Sequence, residues 1–261
     1  MRSLHIAATG MQAQQTNVDV ISHNLANQTT TGYKAQRAEF QDLIYQDLRR
    51  VGSNSSDAGT IVPTGVQLGL GVKTGAIYRN TEQGTVKQTE GPLDVAIQGK
   101  GYFQIELPDG DIAYTRNGAF KLSPDGEIVT MDGYIVQPAI AVPEDAIDIA
   151  INGSGEVEVT LDGQVDPANL GQLEIATFIN PPGLEAIGDN LFLETAASGD
   201  PILGIAGEEG FGTVLQGYLE NSNVNPVSEI TNLIVAQRAY EMNSKIITAS
   251  DEMLQALNQS A

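Results

Sequence analysis

Two histidines, His5 and His23, are the residues of this sequence best suited to proton transfer or zinc binding. Both fall in one helix-like N-terminal segment, eighteen positions apart. That spacing is about 27 Å at the rise of an α-helix, so the pair cannot share a metal ion or a proton within the helix. With only two imidazoles, a Ser-His-Asp triad and an HExxH zinc site are not indicated, and we interpret both histidines as structural. The absence of cysteine excludes disulfides, thiolate catalysis and Cys-ligated zinc.

Carboxylates are numerous, and a glycosidase needs only two. Most of the conspicuous ones fall at predicted hairpin tips, where Asp serves turn geometry and solvation: Asp109, Asp111, Asp125, Asp132 and Asp162. The sequence has no tryptophan and only 5% aromatic residues with which to form sugar platforms. The segment "PDGDIA" lacks the spacing of a calcium loop. A secreted carbohydrate-active β protein and a calcium-stabilised adhesive β protein therefore stay as remote alternatives.

The segment "GLGVKTG", residues 69–75, has the glycines of a phosphate loop without the spacing of either common phosphate-binding motif. We interpret it as part of a flexible glycine-rich connector that covers residues 46–75. With no motif left for covalent chemistry, the sequence predicts a protein that is not an enzyme and binds no metal or cofactor.

The charge balance is strongly acidic, with 33 Asp and Glu against 13 Lys and Arg. Residues 51–219 hold 24 acidic and 6 basic side chains. Such a field repels phosphate backbones and anionic lipid headgroups, which argues against a nucleic-acid partner. No apolar run is long enough for the core of a secretory signal or for a membrane span, so we expect no membrane insertion and no cleaved signal peptide.

The elements that would position functional residues begin with two terminal helices. Each carries a heptad stripe, partly polar and narrow, which is typical of coiled coils whose helices are marginal alone. The stripes are Leu4, Ala7, Met11, Gln14, Val18, Ile21 and Leu25, and Leu233, Ala236, Tyr240, Asn243, Ile247, Ser250, Leu254 and Leu257. The first helix should end near Asn27, before three threonines and Gly32, and the second should start at Asn225-Pro226.

Between the helices the pattern changes to short alternating strands separated by Asp-Gly turns. Three segments read as strand, turn and strand: "YFQIELPDGDIAYTR", "AFKLSPDGEIVTMDGYIV" and "VEVTLDGQV". We predict an α+β fold with an antiparallel β-rich central domain, residues 81–221, inserted between the two helices. The helices, residues 1–30 and 222–261, would pair as a discontinuous coiled-coil domain, with residues 31–80 as an extended junction and connector.

The segment "NLANQTTTGYK", Asn24 to Lys34, resembles the N-terminal signature of bacterial flagellar rod and hook axial proteins. The resemblance continues through "EGPLDVAIQGKGYFQI", "YTRNGAFKLSPDGEIVTMDGYIV" and the C-terminal segment that starts at "GTVLQGYLENSNVNP". The chain length and residues 45–85 look most like the distal rod members of that family. Proximal rod and hook-type proteins are the alternatives within it.

The resemblance implies a structural subunit that assembles helically into the distal rod, the hollow drive shaft that crosses the periplasm. The implied partners are other copies of the chain, proximal rod proteins below, hook protein above, the surrounding P- and L-ring proteins and the flagellar type III export apparatus. The terminal helices would line the inner tube, the connector would be a rod-specific element, and the β domain would lie outside.

The resemblance also implies roles for particular residues. Inner-tube contacts should involve the apolar members of the two stripes: Leu4, Ala7, Met11, Val18, Ile21 and Leu25, with Leu233, Ala236, Tyr240, Ile247, Leu254 and Leu257. The junction that caps the first helix and redirects the chain should consist of Asn24, Leu25, Asn27, Thr30, Gly32, Tyr33 and Lys34.

Overall fold

The fold was described from a computed structural model that covers residues 2–49, 64–161 and 166–260. Within these residues, two α-helices, α1 (Arg2–Ala26) and α2 (Pro226–Ser260), flank twenty short strands and one short 3₁₀ helix, Pro181–Gly183. The strands are β1 (Gln36–Asp42), β2 (Tyr45–Arg49), β3 (Val66–Gly69), β4 (Val72–Arg79), β5 (Val86–Gln88), β6 (Val95–Gln98), β7 (Tyr102–Glu106), β8 (Ile112–Thr115), β9 (Lys121–Leu122), β10 (Ile128–Val129), β11 (Ile135–Gln137), β12 (Ala146–Ile151), β13 (Glu156–Leu161), β14 (Ala168–Gln172), β15 (Glu174–Thr177), β16 (Glu185–Gly188), β17 (Leu191–Leu193), β18 (Ile202–Ile205), β19 (Thr213–Gln216) and β20 (Tyr218–Glu220). The predicted α+β class with an antiparallel β-rich centre between terminal helices is confirmed.

The described residues divide into two compact units, here called unit 1 and unit 2. Unit 1 takes residues 1–25, 36–78 and 225–261, and unit 2 takes residues 26–35 and 79–224, in each case as far as the structure describes them. Most of the junction therefore groups with the β-rich part, and most of the connector groups with the terminal helices. The predicted division into a terminal helical domain, a connector and a β-rich outer domain, each with its own function, stays a prediction.

Unit 1 contains both long helices and four strands. The side chains of Ser3 and Ser250 are 3.4 Å apart, and a Cβ atom on Gly10 would lie 3.0 Å from the Asn243 side chain. Residue numbers increase along α1 from the first contact to the second and decrease along α2, so the two helices are antiparallel. Strand β1 pairs with β4, and β2 pairs with β3, and these four strands are here called the hairpin. Residues 50–63, between β2 and β3 in sequence, lie outside the described residues.

The glycine-rich segment 69–75 is ordered, which corrects the prediction of a flexible connector there. It runs from the end of β3 through a turn into β4. At Gly71, φ is +121°, and a Cβ atom would lie 2.2 Å from the Thr9 hydroxyl oxygen on α1. A side chain is therefore excluded by both backbone conformation and space. The glycine lets the hairpin approach the helix, a role that sequence composition does not distinguish from flexibility.

Unit 2 is built on an antiparallel sheet in the order β16-β17-β8-β7-β15-β18, with β11, β10 and β9 continuing from the other half of β7. Strands β12, β13 and β14 form a separate sheet, and β5 and β6 pair with β20 and β19 near the end of the unit's sequence. The main core is aliphatic, with Phe103 and Phe120 in edge-to-face contact at 5.1 Å. A smaller aromatic cluster surrounds Phe178.

Two of the predicted hairpins are confirmed by strand pairing. Strand β7 pairs with β8, and β9, β10 and β11 pair in succession. Their turns carry Asp109, Asp125 and Asp132 as exposed residues. The third predicted turn, with Asp162, lies outside the described residues, although β13 does pair antiparallel with β14. The Asp-Gly signal therefore located the β7–β8 turn and the two turns that join β9, β10 and β11.

Candidate functional site

The junction begins where α1 ends at Ala26, one residue from the predicted position. The Thr30 backbone N–H donates to the Asn27 carbonyl at 3.2 Å, and the Thr30 hydroxyl donates to the Asn27 side-chain oxygen at 3.1 Å. Gly32 then adopts φ +71°, and its N–H donates to the Glu220 carbonyl at 2.8 Å. The polar threonines and the left-handed glycine thus turn the chain toward the last strand of unit 2.

Lys34 and Arg116 both bind the carboxylate of Glu220, and all three side chains are buried. The Lys34 Nζ atom lies 2.7 Å from Glu220 Oε1, and the Arg116 Nε atom lies 2.5 Å from Oε2. The Gly84 N–H donates to Oε1 as well, at 2.8 Å. Removing charges from water is costly, and this geometry offsets the cost with several charge-assisted hydrogen bonds to one carboxylate.

The rest of the Arg116 guanidinium is enclosed by backbone carbonyls. Its Nη2 atom donates to the carbonyls of Ile97 at 2.9 Å and Gly99 at 2.6 Å, and Nη1 donates to that of Gly101. Gly99 and Gly101 have φ of +110° and +139°. The loop between β6 and β7 is thereby wrapped around a cation, with glycines where the backbone must bend sharply.

The pKa shifts follow from burial and from the unequal number of charges. Burial lowers the pKa of Lys34 below its ordinary value, although Glu220 opposes this shift. Burial alone would raise the pKa of Glu220, but Arg116 and then Lys34 hold it below its ordinary value. With two cations against one anion, the carboxylate is the group whose ionisation the site stabilises.

Asn223 ties three backbone segments of unit 2 together. Its side-chain oxygen accepts from the Ala35 N–H at 2.7 Å, and its amide nitrogen donates to the carbonyls of Asn80 and Glu82, both at 2.9 Å. The Tyr33 carbonyl accepts from the Asn223 N–H at 3.4 Å. The Asn223 side chain therefore provides hydrogen-bond partners for a backbone N–H of the junction and for two backbone carbonyls of the segment that leads into β5.

In unit 1, Asn24 makes a comparable clamp. Its amide nitrogen donates to the Gln36 carbonyl and its oxygen accepts from the Gln36 N–H, both at 2.8 Å. The same amide nitrogen lies 3.3 Å from a carboxylate oxygen of Glu229 on α2. The start of α2 is itself capped by Asn225, whose side-chain oxygen accepts from the N–H groups of Val227 and Ser228. Asn24 thus connects α1, the hairpin and α2.

The predicted stripe residues have mixed exposure in the structure. Ala7, Ile21 and Ala236 are buried, and Tyr240 is exposed. The half-buried members are Leu4, Met11, Val18, Leu25, Leu233, Ile247 and Leu254. The side chain of Leu257 lies outside the described residues. Their predicted role in an assembly interface stays a prediction.

The predicted junction residues are more buried than the stripe residues. Asn24, Gly32, Tyr33 and Lys34 are buried, while Asn27 and Thr30 are half-buried and form the turn described above. Both histidines are exposed on α1. The residues that sequence reasoning missed are Arg116, Glu220 and Asn223. Charged residues that interrupt apolar strands, as in "IAYTRNGAF" and "GYLEN", are a signal that could have found the first two.

Chemically, this arrangement holds backbone segments in place. The polar atoms of Arg116 and Glu220 bind fixed internal partners, so the network holds the chain in position. Among the described residues, no group of three or more His, Asp and Glu side chains is placed to hold a metal ion. Neither of the two described helices has an apolar stretch long enough to cross a membrane.

Three family models match separate parts of the chain. Residues 4–34 match the flagella basal body rod protein family, residues 96–159 match the D1 domain of flagellar hook proteins FlgE/F/G, and residues 215–260 match the C-terminal region of flagellar basal body rod FlgEFG proteins. Lys34 lies in the first of these regions, Arg116 in the second and Glu220 in the third. The buried network thus draws one residue from each matched region.

Relatives match the chain over nearly its whole length. The flagellar basal-body rod protein FlgG of Caulobacter vibrioides is 62% identical over 99% of both chains. The proteins of the same name are 53% identical in Agrobacterium fabrum, over 97% of both chains, and 40% identical in Bacillus subtilis, over 98% of both. A crystal structure of the Helicobacter pylori hook protein FlgE2 aligns with 72% of this chain and 43% of its own, at 17% identity. Its TM-score of 0.25 is too low to support an argument.

Proposed function

The chain belongs to the FlgG family of flagellar basal-body rod proteins, and from that premise we propose that it assembles helically with copies of itself into the distal rod. In this role it is a building block of the shaft that transmits torque to the hook and lets exported subunits pass. The role is structural and requires no catalytic residue.

The observation that carries this proposal is the exposed apolar surface of α2. Two rows of large side chains face solvent at helical spacing. The first is Val227, Ile230 and Ile234, and the second is Val235, Met242, Ile246 and Met253. A helix with apolar residues on this much of its surface is typical of one that is buried in an assembly. We infer that neighbouring copies cover these rows.

The hairpin of unit 1 adds a second exposed apolar surface. Ile44 is 77% exposed, and Tyr45, Leu48, Val66, Leu68 and Ile77 are each at least 40% exposed. Complete burial of one such aliphatic or aromatic side chain contributes about 1.5–3 kcal/mol. A contact that covers several of them in each copy would therefore stabilise a polymer strongly. This is the support for assigning the hairpin as the rod-specific element between subunits.

The terminal helices are proposed to line the central channel, with the predicted stripe residues among their contacts. The described contacts of α1 with α2 and with the hairpin involve small or polar residues, Ser3, Thr9 and Gly10, while Leu4, Met11 and Val18 stay half-buried, which supports a helical pair that is completed by neighbours. For the further partners, namely proximal rod proteins, hook protein, the P- and L-ring proteins and the type III export apparatus, the support is family membership. The same holds for export without a cleaved signal peptide.

The test is amide hydrogen exchange on the purified chain at low and high concentration, with sedimentation to detect polymer. We expect the amides of α1, α2 and the hairpin to gain protection when polymer forms, while the β strands of unit 2 are protected at both concentrations. A chain that stays monomeric at high concentration would contradict self-assembly. Full protection of both helices in the dilute monomer would contradict their completion by neighbours.

A further inference from the structure

A cleft in unit 2 lies beside the buried ion network and has no role in the proposal above. It has a volume of about 490 Å³. Its lining comes from Lys34 and Arg116 of the network, from the loop that Arg116 holds, and from residues 177–181 on the far side. Since the guanidinium fixes that loop through three carbonyls, the cleft wall is positioned before any partner arrives.

One wall of the cleft is apolar. Tyr102, Phe178, Ile179 and Pro181 line it, and Phe178 packs edge-to-face on Tyr102 with ring centroids 6.0 Å apart. Ile179 is 82% exposed, more than any other large hydrophobic side chain in the described part of the protein. A rigid aromatic base with an exposed aliphatic side chain at its rim is typical of a surface that a partner covers.

The cleft also carries one cation, Lys100, that is exposed and unpaired within the described residues, in an otherwise acidic protein. The cleft is lined by Lys34, Lys100 and Arg116, which are three of the six lysines and arginines of unit 2, and by one acidic residue, Glu82, whose carboxylate accepts from the Asn80 amide at 2.9 Å. Glu220 binds two of these three cations, whereas Lys100 is exposed and forms no ion pair within the described residues. The chemistry that fits is therefore an apolar side chain flanked by carboxylates.

Another part of the same chain has that chemistry. Ile147, in the edge strand β12, is 68% exposed. Three exposed carboxylates lie within three positions of it in sequence, Glu144, Asp145 and Asp148. The other exposed large hydrophobic residues of the described chain have at most two such neighbours. Because this segment and the cleft are different surfaces, the contact is head-to-tail and can repeat along a polymer.

We propose that the cleft between Lys100 and Ile179 receives the segment 144–148, with Ile147 at its centre, from a second copy of the chain. This contact rests on the proposed self-assembly and names one interface within it. Burial of Ile147 against Ile179 supplies apolar contact, and Lys100 faces the carboxylates beside Ile147.

Cross-linking tests the contact directly, because the native chain has no cysteine. The Ile179→Cys and Ile147→Cys variants are mixed, allowed to polymerise and oxidised, and disulfide-linked dimers are counted on a non-reducing gel. A disulfide requires Cα atoms about 4.4–6.8 Å apart, so it forms only if the two surfaces meet. The matched control replaces Ile147→Cys with Ile112→Cys, at an exposed isoleucine beside two carboxylates.

We expect dimers from the Ile179–Ile147 mixture and none above background from the control mixture. Polymer that forms without this cross-link, or with equal linking in the control, overturns the docking contact and leaves self-assembly intact. Absence of polymer in the unsubstituted chain overturns the proposed function itself. In parallel, Lys100→Glu should raise the concentration needed for assembly several-fold, and Lys87→Glu, at an exposed lysine outside the cleft, should not.

Discussion

The Nζ atom of Lys34 lies 2.7 Å from the carboxylate of Glu220, a residue 186 positions later in the chain. The two side chains are 4% and 1% exposed. Lys34 follows the first helix and Glu220 precedes the second, so this ion pair joins the two ends of the β-rich unit. Its energetic importance is the basis of the first two predictions.

Glu220→Gln should lower the free energy of unfolding by about 3–5 kcal/mol, because it leaves two buried cations without their anion. The measurement is urea unfolding at neutral pH, followed by circular dichroism. The control is Glu241→Gln, which removes an exposed ion pair with Arg238 on α2 and should have a much smaller effect. Equal effects in the two variants would show that the buried network adds nothing beyond a surface pair.

Acid should remove the contribution of Glu220 to the free energy of unfolding. The folded-state pKa of Glu220 is below its ordinary value of 4.5, so between these two pKa values the carboxylate binds more protons in the unfolded chain than in the folded one. The contribution is complete above pH 4.5 and is lost as pH falls through the lower, folded-state pKa. Stability measured from pH 6 to pH 3 should therefore fall more steeply in the native chain than in Glu220→Gln. Parallel curves would contradict the lowered pKa.

Gly32→Ala should destabilise unit 2 for two reasons. Its φ of +71° is unfavourable for alanine, and the new Cβ atom would lie 2.8 Å from the Asn117 backbone nitrogen. Gly133→Ala is the matched control, since Gly133 has φ +87° and nothing within 4 Å of the added atom. We expect a loss of about 1–2 kcal/mol in the control, from backbone strain alone, and a larger loss at Gly32. Thermal unfolding of both variants would separate the steric part.

Asn24→Ala should loosen the start of the hairpin in unit 1. The substitution removes two hydrogen bonds to the backbone of Gln36 and leaves those groups without their partner, at a cost of about 1–3 kcal/mol. Amide exchange at Gln36 should become faster. Asn17→Ala, at a half-buried position on the same helix, should leave that amide unchanged. Unchanged exchange in Asn24→Ala would show that other contacts hold the strand.

Ile246→Lys should weaken self-assembly without unfolding the subunit, because it places a charge in an exposed apolar row of α2. Thr248→Lys adds the same charge two residues away, on a different side of the helix, and serves as the control. Sedimentation velocity should show less polymer for the first variant than for the second. Equal loss in both would assign the effect to net charge.

The sequence by itself determined the local structure of this protein. Helix ends follow from local chemistry, since Asn225-Pro226 caps and starts a helix, and the threonine run before Gly32 stops one. The Asp-Gly hairpins of unit 2 also need only a few consecutive residues. The N-terminal signature and the central and C-terminal segments were enough to indicate the family, because the family is defined by the order of such segments.

Only the tertiary structure decided which distant residues meet. Arg116, Glu220 and Asn223 have no neighbours in sequence that mark them as partners of Lys34 and Ala35, because their contacts are side-chain hydrogen bonds between residues more than one hundred positions apart. Gly71 likewise looked like a flexible glycine until α1 was seen to lie against it. Periodicity and turn residues report local backbone preference, whereas burial of a charge or close approach of a backbone depends on what the rest of the chain places beside it.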